Sequence, residues 1–174
     1  KGELGLSTNR NGHLTLGSED AKVKVEVFLN LACPYCATFY ELVDEVLIDY
    51  INQDQVQFIV KHYDKPREML LPGTLINLNL DYSNPSKTLQ TINSIFREQG
   101  AWDTYSNHQI KEMLQNDYAL HEEDQNIEIS LSVTAEAIER GVKMVPTVFI
   151  NELEFQYPQE ISAEQLKERI EKGL

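Results

Sequence analysis

The chain has 174 residues, of which 41% are apolar and 25% charged, and this is the composition of an ordinary globular protein with a buried core. Its net charge of −13 argues against a nucleic-acid partner, whose phosphates demand a basic surface, and against anchoring to an anionic membrane. No apolar run approaches membrane-spanning length, so membrane insertion is not expected, and the first twenty residues lack the apolar core of a signal peptide. The chain as it stands predicts a cytoplasmic protein, or an extracytoplasmic one if a leader was removed.

The first part of the chain predicts the order strand, strand, helix, strand. Residues 1–12 are rich in glycine and asparagine and indicate a loose arm, and residues 13–16 indicate a short strand. Residues 23–29 are apolar and β-branched and predict a strand, as do residues 56–63. Residues 34–50 predict a helix, because apolar and aromatic side chains recur at four- and three-residue steps: Cys36, Tyr40, Val43, Leu47 and Tyr50.

The middle of the chain predicts helices. Residues 69–80 are apolar but broken by Pro72-Gly73. Asn84-Pro85-Ser86 begins a helix with one apolar face, formed by Leu89, Ile92, Ile95 and Phe96. A second helix is indicated by Ile110, Met113, Leu114 and Tyr118. Residues 127–133 alternate as a strand would, yet we favour a helix ending at Gly141, with a face formed by Leu131, Thr134, Ala135 and Ile138.

The end of the chain returns to strands and closes with a helix. Residues 147–151 predict a strand, and residues 154–157 are expected to pair with it across a tight turn. Ser162 followed by Gln165 is a capping box, which marks the start of the last helix. The buried face of that helix is formed by Leu166 and Ile170.

The two cysteines of the chain lie in Cys33-Pro34-Tyr35-Cys36, where a predicted strand runs into a predicted helix. Pro34 falls in the first helical turn, where its missing N–H costs nothing. Cys33 therefore lies at the helix N-terminus, where free N–H groups and the helix dipole stabilise a thiolate. A bridge between the two cysteines would close too small a loop to stabilise the fold much. The motif therefore predicts reversible disulfide exchange.

Metal and nucleotide chemistry have little support in the sequence. The four histidines (His13, His62, His108 and His121) are scattered, and a single CxxC pair is a weak zinc signal. No Gly-rich phosphate loop is present, so we expect no cofactor and no metal beyond the redox-active cysteine pair. His62, at a strand end, is expected to be a surface or capping histidine, and Trp102 a core or interface aromatic.

With these features the sequence resembles the DsbA-like branch of the bacterial thioredoxin-fold proteins, in its Gram-positive form. The resemblance rests on Cys33-Pro34-Tyr35-Cys36, on Val145-Pro146-Thr147 directly before a strand, and on the long helical stretch between the two. It implies an α/β thioredoxin-like fold, with a central mixed β-sheet flanked by helices. Residues 1–64 and 142–174 would form one discontinuous domain, and residues 65–141 a helical insertion.

The resemblance also implies a role for each motif residue. Cys33 would be the exposed nucleophile and Cys36 the buried resolving thiol, while Pro34 and Tyr35 would tune the stability of the Cys33 thiolate. In Val145-Pro146-Thr147, which would bind substrate, Pro146 would be cis and the backbone of Val145 would pair with the substrate like an added strand.

Two features depart from the family pattern. Many relatives carry a buried carboxylate six residues before the first cysteine, where this chain has Val27. The neighbouring Glu26 should point to the other face of the strand, as a solvent-side or paired glutamate. The dipeptide Pro34-Tyr35 is shared with glutaredoxins, where it would imply glutathione chemistry.

The sequence therefore predicts an enzyme that exchanges disulfides with protein substrates through Cys33 and Cys36. Its partners would be protein thiols or disulfides and a redox protein that recycles the pair, and we expect a monomer. Two alternatives stay open: a glutathione-dependent reductase or transferase, and a non-catalytic binding or chaperone module. The direction of flux depends on the reduction potential, which the motif alone does not fix.

Overall fold

The computed structural model describes residues 14–156 and 161–174. Its strands are β1 (Leu14–Leu16), β2 (Val23–Leu29), β3 (Val56–His62), β4 (Thr147–Ile150) and β5 (Leu153–Phe155). Its helices are α1 (Pro34–Leu42), α2 (Ile48–Asn52), α3 (Leu71–Asn77), α4 (Pro85–Arg97), α5 (Gln99–Trp102), α6 (Asn107–Tyr118), α7 (Asn126–Glu139) and α8 (Ala163–Gly173). A π-helical turn (Val43–Leu47) joins α1 to α2, and a 3₁₀ turn (Glu68–Leu70) precedes α3.

The strands form one mixed sheet in the order β1-β3-β2-β4-β5. The central pair, β2 and β3, is parallel, and the remaining neighbours are antiparallel. Parallel neighbours need a crossover, which α1 and α2 supply. The predicted element order and the predicted mixed sheet flanked by helices are confirmed.

The two faces of the sheet bury different side chains, because successive residues of a strand point in opposite directions. Val25 and Val27 lie in the larger core together with Cys36 of α1. Phe28 lies in a smaller core on the other face, where it packs edge-on against Phe149 with ring centroids 6.1 Å apart. The motif helix and α7 therefore cover opposite faces of the sheet.

The helices between β3 and β4 share the larger core with the sheet. Ile92 and Ile95 of α4 and Trp102 of α5 are buried in the same cluster as the β2 side chains. The Trp102 indole N–H donates to the Ile95 carbonyl at 2.9 Å. The prediction that Trp102 is a core aromatic is confirmed.

The predicted helix is present as α7, but the face that carries Leu131 and Ile138 is not its buried face. Leu131 and Ile138 are 64% and 68% exposed, while Val133 is buried against the smaller core. The rotation of the helix is fixed by buried hydrogen bonds: the Asn126 amide donates to three carbonyls near the end of α3, and the Ser130 hydroxyl donates to Asp64. These polar anchors turn Leu131 and Ile138 toward solvent.

Pro72-Gly73 was expected to break the apolar stretch, but both residues lie within α3. Pro72 is tolerated there because it falls in the first turn of the helix. The predicted helix over residues 34–50 is present with one widened turn, and the Ser162–Gln165 capping box is confirmed. The predictions for residues 1–13, and for the end of the last strand at Tyr157, lie outside the described residues. Within the described part of the chain, no helix is both long and apolar enough to cross a membrane.

Candidate active site

Cys33 lies at the N-terminus of α1, as its sequence position indicates. It is the N-cap residue, with extended backbone, and Pro34 occupies the first helical turn. The Cys33 carbonyl accepts the N–H groups of Cys36 and Ala37 at 3.1 and 3.2 Å, which begins the helix. The backbone N–H groups of Tyr35 and Cys36 in this first turn also act on the Cys33 sulfur.

The local electrostatics favour the thiolate of Cys33. A hydrogen bond from the Cys36 thiol, together with backbone N–H groups of Tyr35 and Cys36, outweighs burial and lowers the pKa of Cys33 to about 7. Both cysteines are free thiols in this structure. At neutral pH about half of the Cys33 side chains are therefore ionised.

Cys36 has the opposite character. Burial, followed by the hydrogen bond and the charge of Cys33, raises its pKa well above the ordinary value. Its Sγ accepts the Asn30 backbone N–H at 3.5 Å, and none of its surface reaches solvent. The motif thus pairs an ionisable thiol with a protonated, buried one.

The loop before β4 faces Cys33 from the other side. The Val145–Pro146 peptide bond is cis, as predicted, and the Val145 carbonyl lies 3.6 Å from the Cys33 Sγ. Pro146 is buried. Cys33 is only 7% exposed, less than expected for an exposed nucleophile.

Thr147 stabilises this loop from within. Its side chain is completely buried, and its hydroxyl donates to the Met144 carbonyl at 2.7 Å. It does not line the groove beside Cys33. Of the three loop residues expected to bind substrate, only Val145 and Pro146 therefore line the groove beside Cys33.

Two side chains distant in sequence, His62 and Gln99, and one within the loop, Asn30, hold the loop that carries Cys33. The His62 imidazole Nε2 accepts the Leu31 N–H at 3.0 Å, and the Gln99 amide donates to the carbonyls of Leu31 and Cys33. Asn30 bridges the loop to β3, since its amide donates to the Tyr63 carbonyl and its Oδ1 accepts the Ala32 N–H. The position of the nucleophile is therefore set by hydrogen bonds.

His62 is buried, 2% exposed, so the expectation of a surface histidine is wrong, although it does bind the adjacent loop. Because the Leu31 N–H can only donate, Nε2 must accept, and the ring proton lies on Nδ1, 3.0 Å from Asp64 Oδ1. Burial raises the pKa of Asp64, but hydrogen bonds from His62, Ser130 and Asn77 outweigh it and leave this pKa below its usual value. The orientation of the His62 ring is thereby fixed, with Nε2 toward the Leu31 N–H.

A groove of about 490 Å³ opens beside Cys33. Its walls are mostly apolar and come from the motif, the 3₁₀ turn and the cis-proline loop: Pro34, Tyr35, Met69, Leu70, Met144, Val145 and Pro146. Tyr35 and Met69 are each about three-fifths exposed at its rim. Lys65, Arg67 and Gln156 complete the lining.

Glu26 lies on the face of the sheet that Cys36 does not share. Its carboxylate accepts hydrogen bonds from Lys61 and from Arg140, the latter at 2.8 Å, and Glu136 of α7 binds the same two cations. Burial raises the pKa of Glu26, but Arg140 and Lys61 outweigh it and lower that pKa overall. The prediction of a paired glutamate pointing away from Val27 is confirmed. This cluster stabilises the packing of α7 on β3.

Comparison with known families decides the relationship of this chain. A protein-family model with the description Thioredoxin matches residues 8–172 of this chain. The chain belongs to the thioredoxin family. No curated protein sequence matches it at a significant level.

Solved structures place this thioredoxin-family protein more closely. A conserved protein of unknown function from Enterococcus faecalis superposes with a TM-score of 0.86 at 28% identity, covering 95% of this chain and 94% of that one. Oxidised BdbD from Bacillus subtilis superposes with a TM-score of 0.65 at 17% identity, covering 93% of this chain and 92% of that one. The alpha-DsbA1 protein of Wolbachia pipientis superposes with a TM-score of 0.69 at 15% identity, covering 92% of this chain and 89% of that one. The DsbA-like thioredoxin fold with its helical insertion is confirmed.

Sequence reasoning placed Cys33, Cys36 and the cis-proline loop of this thioredoxin-family protein, but it missed the residues that surround them. Lys65 and Arg67 line the groove, and His62 and Gln99 hold the loop. The sequence offers one indication of this placement. Lys65 and Arg67 follow the end of β3, and the motif follows the end of β2. Because β2 and β3 are parallel, both segments lie at the same edge of the sheet. Among the described residues, no group of three or more histidine, cysteine or acidic side chains could hold a metal.

Proposed function

We propose that this protein is a thiol–disulfide oxidoreductase acting on protein substrates through Cys33 and Cys36. The observation that carries the proposal is the asymmetry of the two thiols. Cys33, with a pKa of about 7, borders an open groove, whereas Cys36 is buried, protonated and hydrogen-bonded to it. An attacking thiol is most effective when its pKa lies near the ambient pH.

The first step is attack of the Cys33 thiolate on one sulfur of a substrate disulfide. A bond forms between Cys33 and that sulfur, the substrate S–S bond breaks, and its electron pair leaves on the second substrate sulfur, which takes a proton from solvent. The backbone N–H groups at the start of α1 stabilise the thiolate before attack. The product is a mixed disulfide between Cys33 and the substrate.

The second step is resolution by Cys36. Burial and the Cys33 thiolate together raise the pKa of Cys36, and once Cys33 is bonded to substrate the part that comes from its negative charge is gone. Cys36 then attacks the Cys33 sulfur, which forms the internal disulfide and breaks the bond to the substrate sulfur, and the Cys36 proton leaves with that sulfur as the substrate thiol. The substrate gains two electrons and the protein loses two. Run in reverse, the same steps oxidise a substrate, and the reduction potential sets the direction.

A two-cysteine peptide tests this function. The wild-type protein should exchange disulfides with the peptide, Cys33→Ser should abolish the exchange, and Cys36→Ser should accumulate a Cys33–peptide adduct visible by mass spectrometry. An equal rate in wild type and Cys33→Ser would overturn the proposal.

The two alternative functions predict different experimental outcomes. A glutathione-dependent enzyme would accumulate glutathione on Cys33 in preference to the peptide when both are offered. A binding or chaperone module would suppress aggregation of an unfolded protein equally well with and without Cys33. Titration against glutathione buffers then gives the reduction potential and the direction of flux.

A further inference from the structure

The groove beside Cys33 has an unusual charge for this molecule. The chain carries 28 acidic and 15 basic residues, yet among the described residues the charged side chains that line the groove are Lys65 and Arg67, and no carboxylate lines it with them. An acidic protein with scattered charge would be expected to place a carboxylate there. The groove is therefore a cationic site on an anionic protein.

Both cations are held on one short turn after β3. The Arg67 N–H donates to the Lys65 carbonyl at 2.8 Å, which brings the two residues together. The Lys65 ammonium donates to the Lys143 carbonyl, just before the cis-proline loop, and is thereby fixed across one end of the groove. Arg67 is exposed at the start of the 3₁₀ turn. Within residues 14–156 and 161–174, neither cation forms an ion pair with a carboxylate.

The two cations are not the source of the low Cys33 pKa. The groups that shift that pKa are the Cys36 thiol, burial, and the N–H groups of Cys36 and Tyr35. The positive charge of Lys65 and Arg67 attracts an anionic group on a molecule that enters the groove.

We propose that Lys65 and Arg67 select protein substrates in which acidic residues flank the reactive cysteine, with an apolar side chain on the groove floor. The proposal rests on the proposed function and names its substrate class. Met69, Leu70 and Met144 supply flexible apolar surface that adapts to different side chains. The two cations supply the charge preference, which speeds encounter and fixes orientation.

The walls favour a protein segment over glutathione as the occupant. Glutathione also carries two carboxylates, but it has no apolar side chain to fill the surface between Met69 and Met144. A protein segment can place an apolar residue there and carboxylates beside Lys65 and Arg67. Its backbone also remains free to lie along Val145, the edge of the loop facing Cys33.

The test uses two peptides that each contain two cysteines and an apolar residue, and that differ only in aspartate or asparagine at the flanking positions. The protein is prepared with the Cys33–Cys36 disulfide, so that a peptide dithiol transfers two electrons to it and becomes the peptide disulfide. We expect a kcat/KM about fivefold to tenfold higher for the aspartate peptide at low salt, and a smaller ratio at high ionic strength.

Lys65→Gln combined with Arg67→Gln should bring the ratio close to one while the pKa of Cys33 stays unchanged. Glutamine at position 65 keeps a donor for the Lys143 carbonyl. The matched control is Lys87→Gln with Arg97→Gln on α4, which makes the same change in net charge at exposed sites away from the groove. This control should retain the preference.

A second arm measures binding without redox chemistry, using the same peptides with serine in place of cysteine. A preference for aspartate in binding, with no electron transfer from either dithiol peptide, would refute the proposed function and leave the charge selectivity standing. Equal binding and equal rates for the two peptides would overturn the selectivity alone. The charge selectivity would also be overturned if the control variant with Lys87→Gln and Arg97→Gln lost the preference for the aspartate peptide. A faster reaction with glutathione than with both peptides would overturn it as well.

Discussion

The His62 imidazole on β3 accepts the Leu31 backbone N–H at 3.0 Å, so the third strand holds the loop that delivers Cys33 to the helix N-terminus. The other ring nitrogen is fixed by Asp64, which is itself held by Asn77 of α3 and Ser130 of α7. One strand of the sheet and two helices of the insertion between β3 and β4 thus determine the position of the nucleophile. A buried histidine that binds a backbone donor in this way is a positioning residue for the cysteine.

Replacement of His62 by alanine should destabilise the protein by about 2 to 3 kcal/mol, because it leaves a buried N–H without an acceptor and removes one donor from the Asp64 carboxylate. Urea unfolding measures this free energy. His62→Gln can supply both an acceptor and a donor and should recover part of the loss. The control is His108→Ala, since His108 is exposed on α6, and that variant should change stability by less than about 0.5 kcal/mol.

His62 also shows where sequence reasoning reaches its limit. The strand, the cysteine motif and the cis-proline are local patterns, and hydrophobic periodicity with turn chemistry identifies them. The Asp64 carboxylate that contacts buried His62 is held by Asn77 and Ser130, which come from two later helices. The rotation of α7 has the same origin, because the polar anchors Asn126 and Ser130 override the apolar pattern. Neither contact leaves a signal in local periodicity.

The reactivity of Cys33 should follow a single titration with a midpoint near pH 7. The thiolate is the alkylated form, so the rate with iodoacetamide rises as pH increases through the pKa and levels off above it. The Cys36 thiol should stay unmodified over this range, because burial keeps it protonated. A midpoint near the free-cysteine value of about 8.5 would contradict this assignment.

Removal of the Cys36 thiol should shift that titration. The hydrogen bond from Cys36 is the largest single cause of the low Cys33 pKa, so Cys36→Ala should move the midpoint upward toward the free value. An unchanged midpoint would mean that the helix N–H groups alone stabilise the thiolate. Mass spectrometry of the alkylated protein confirms that Cys33 is the residue modified.

Gly73 of α3 packs directly against the loop that carries Cys33. A Cβ at this position would lie 1.9 Å from the Asn30 Oδ1 and 2.8 Å from the Ala32 backbone nitrogen. Gly73→Ala should therefore displace the loop, with a loss of about 1 to 3 kcal/mol and slower alkylation of Cys33. Gly100→Ala is the matched control, because nothing lies within 4 Å of its Cβ and alanine favours a helix, so stability should stay equal or rise slightly.

The Glu26 cluster should matter for stability and not for the thiol chemistry. Glu26→Gln leaves the buried Lys61 and the half-buried Arg140 with a single carboxylate, that of Glu136, and should cost about 2 to 3 kcal/mol at pH 7. The alkylation midpoint of Cys33 should not move, since Glu26 lies on the opposite face of the sheet from Cys36. A shifted midpoint would identify Glu26 as part of the proton pathway.

The loss of stability caused by Glu26→Gln should depend on pH in a defined direction. The folded-state pKa of Glu26 is lowered from its usual value of 4.5, so its contribution is complete above that value and is lost as pH falls through the folded pKa. The gap in unfolding free energy between wild type and Glu26→Gln should therefore be constant near neutral pH and shrink below about pH 4.5. Glu45→Gln, at an exposed position, should show no comparable gap at any pH.

The two apolar faces of α7 should respond differently to truncation. Val133 is buried against Phe28 and Phe149, so Val133→Ala removes two methyl groups from a packed core and should cost about 1.5 to 3 kcal/mol. Leu131 is exposed, and Leu131→Ala should change stability by less than about 0.5 kcal/mol even though it removes more carbon. Urea denaturation of the two variants side by side measures both effects. If Leu131→Ala were the more costly of the two, the helix would have to be rotated to the face that its sequence pattern alone predicts.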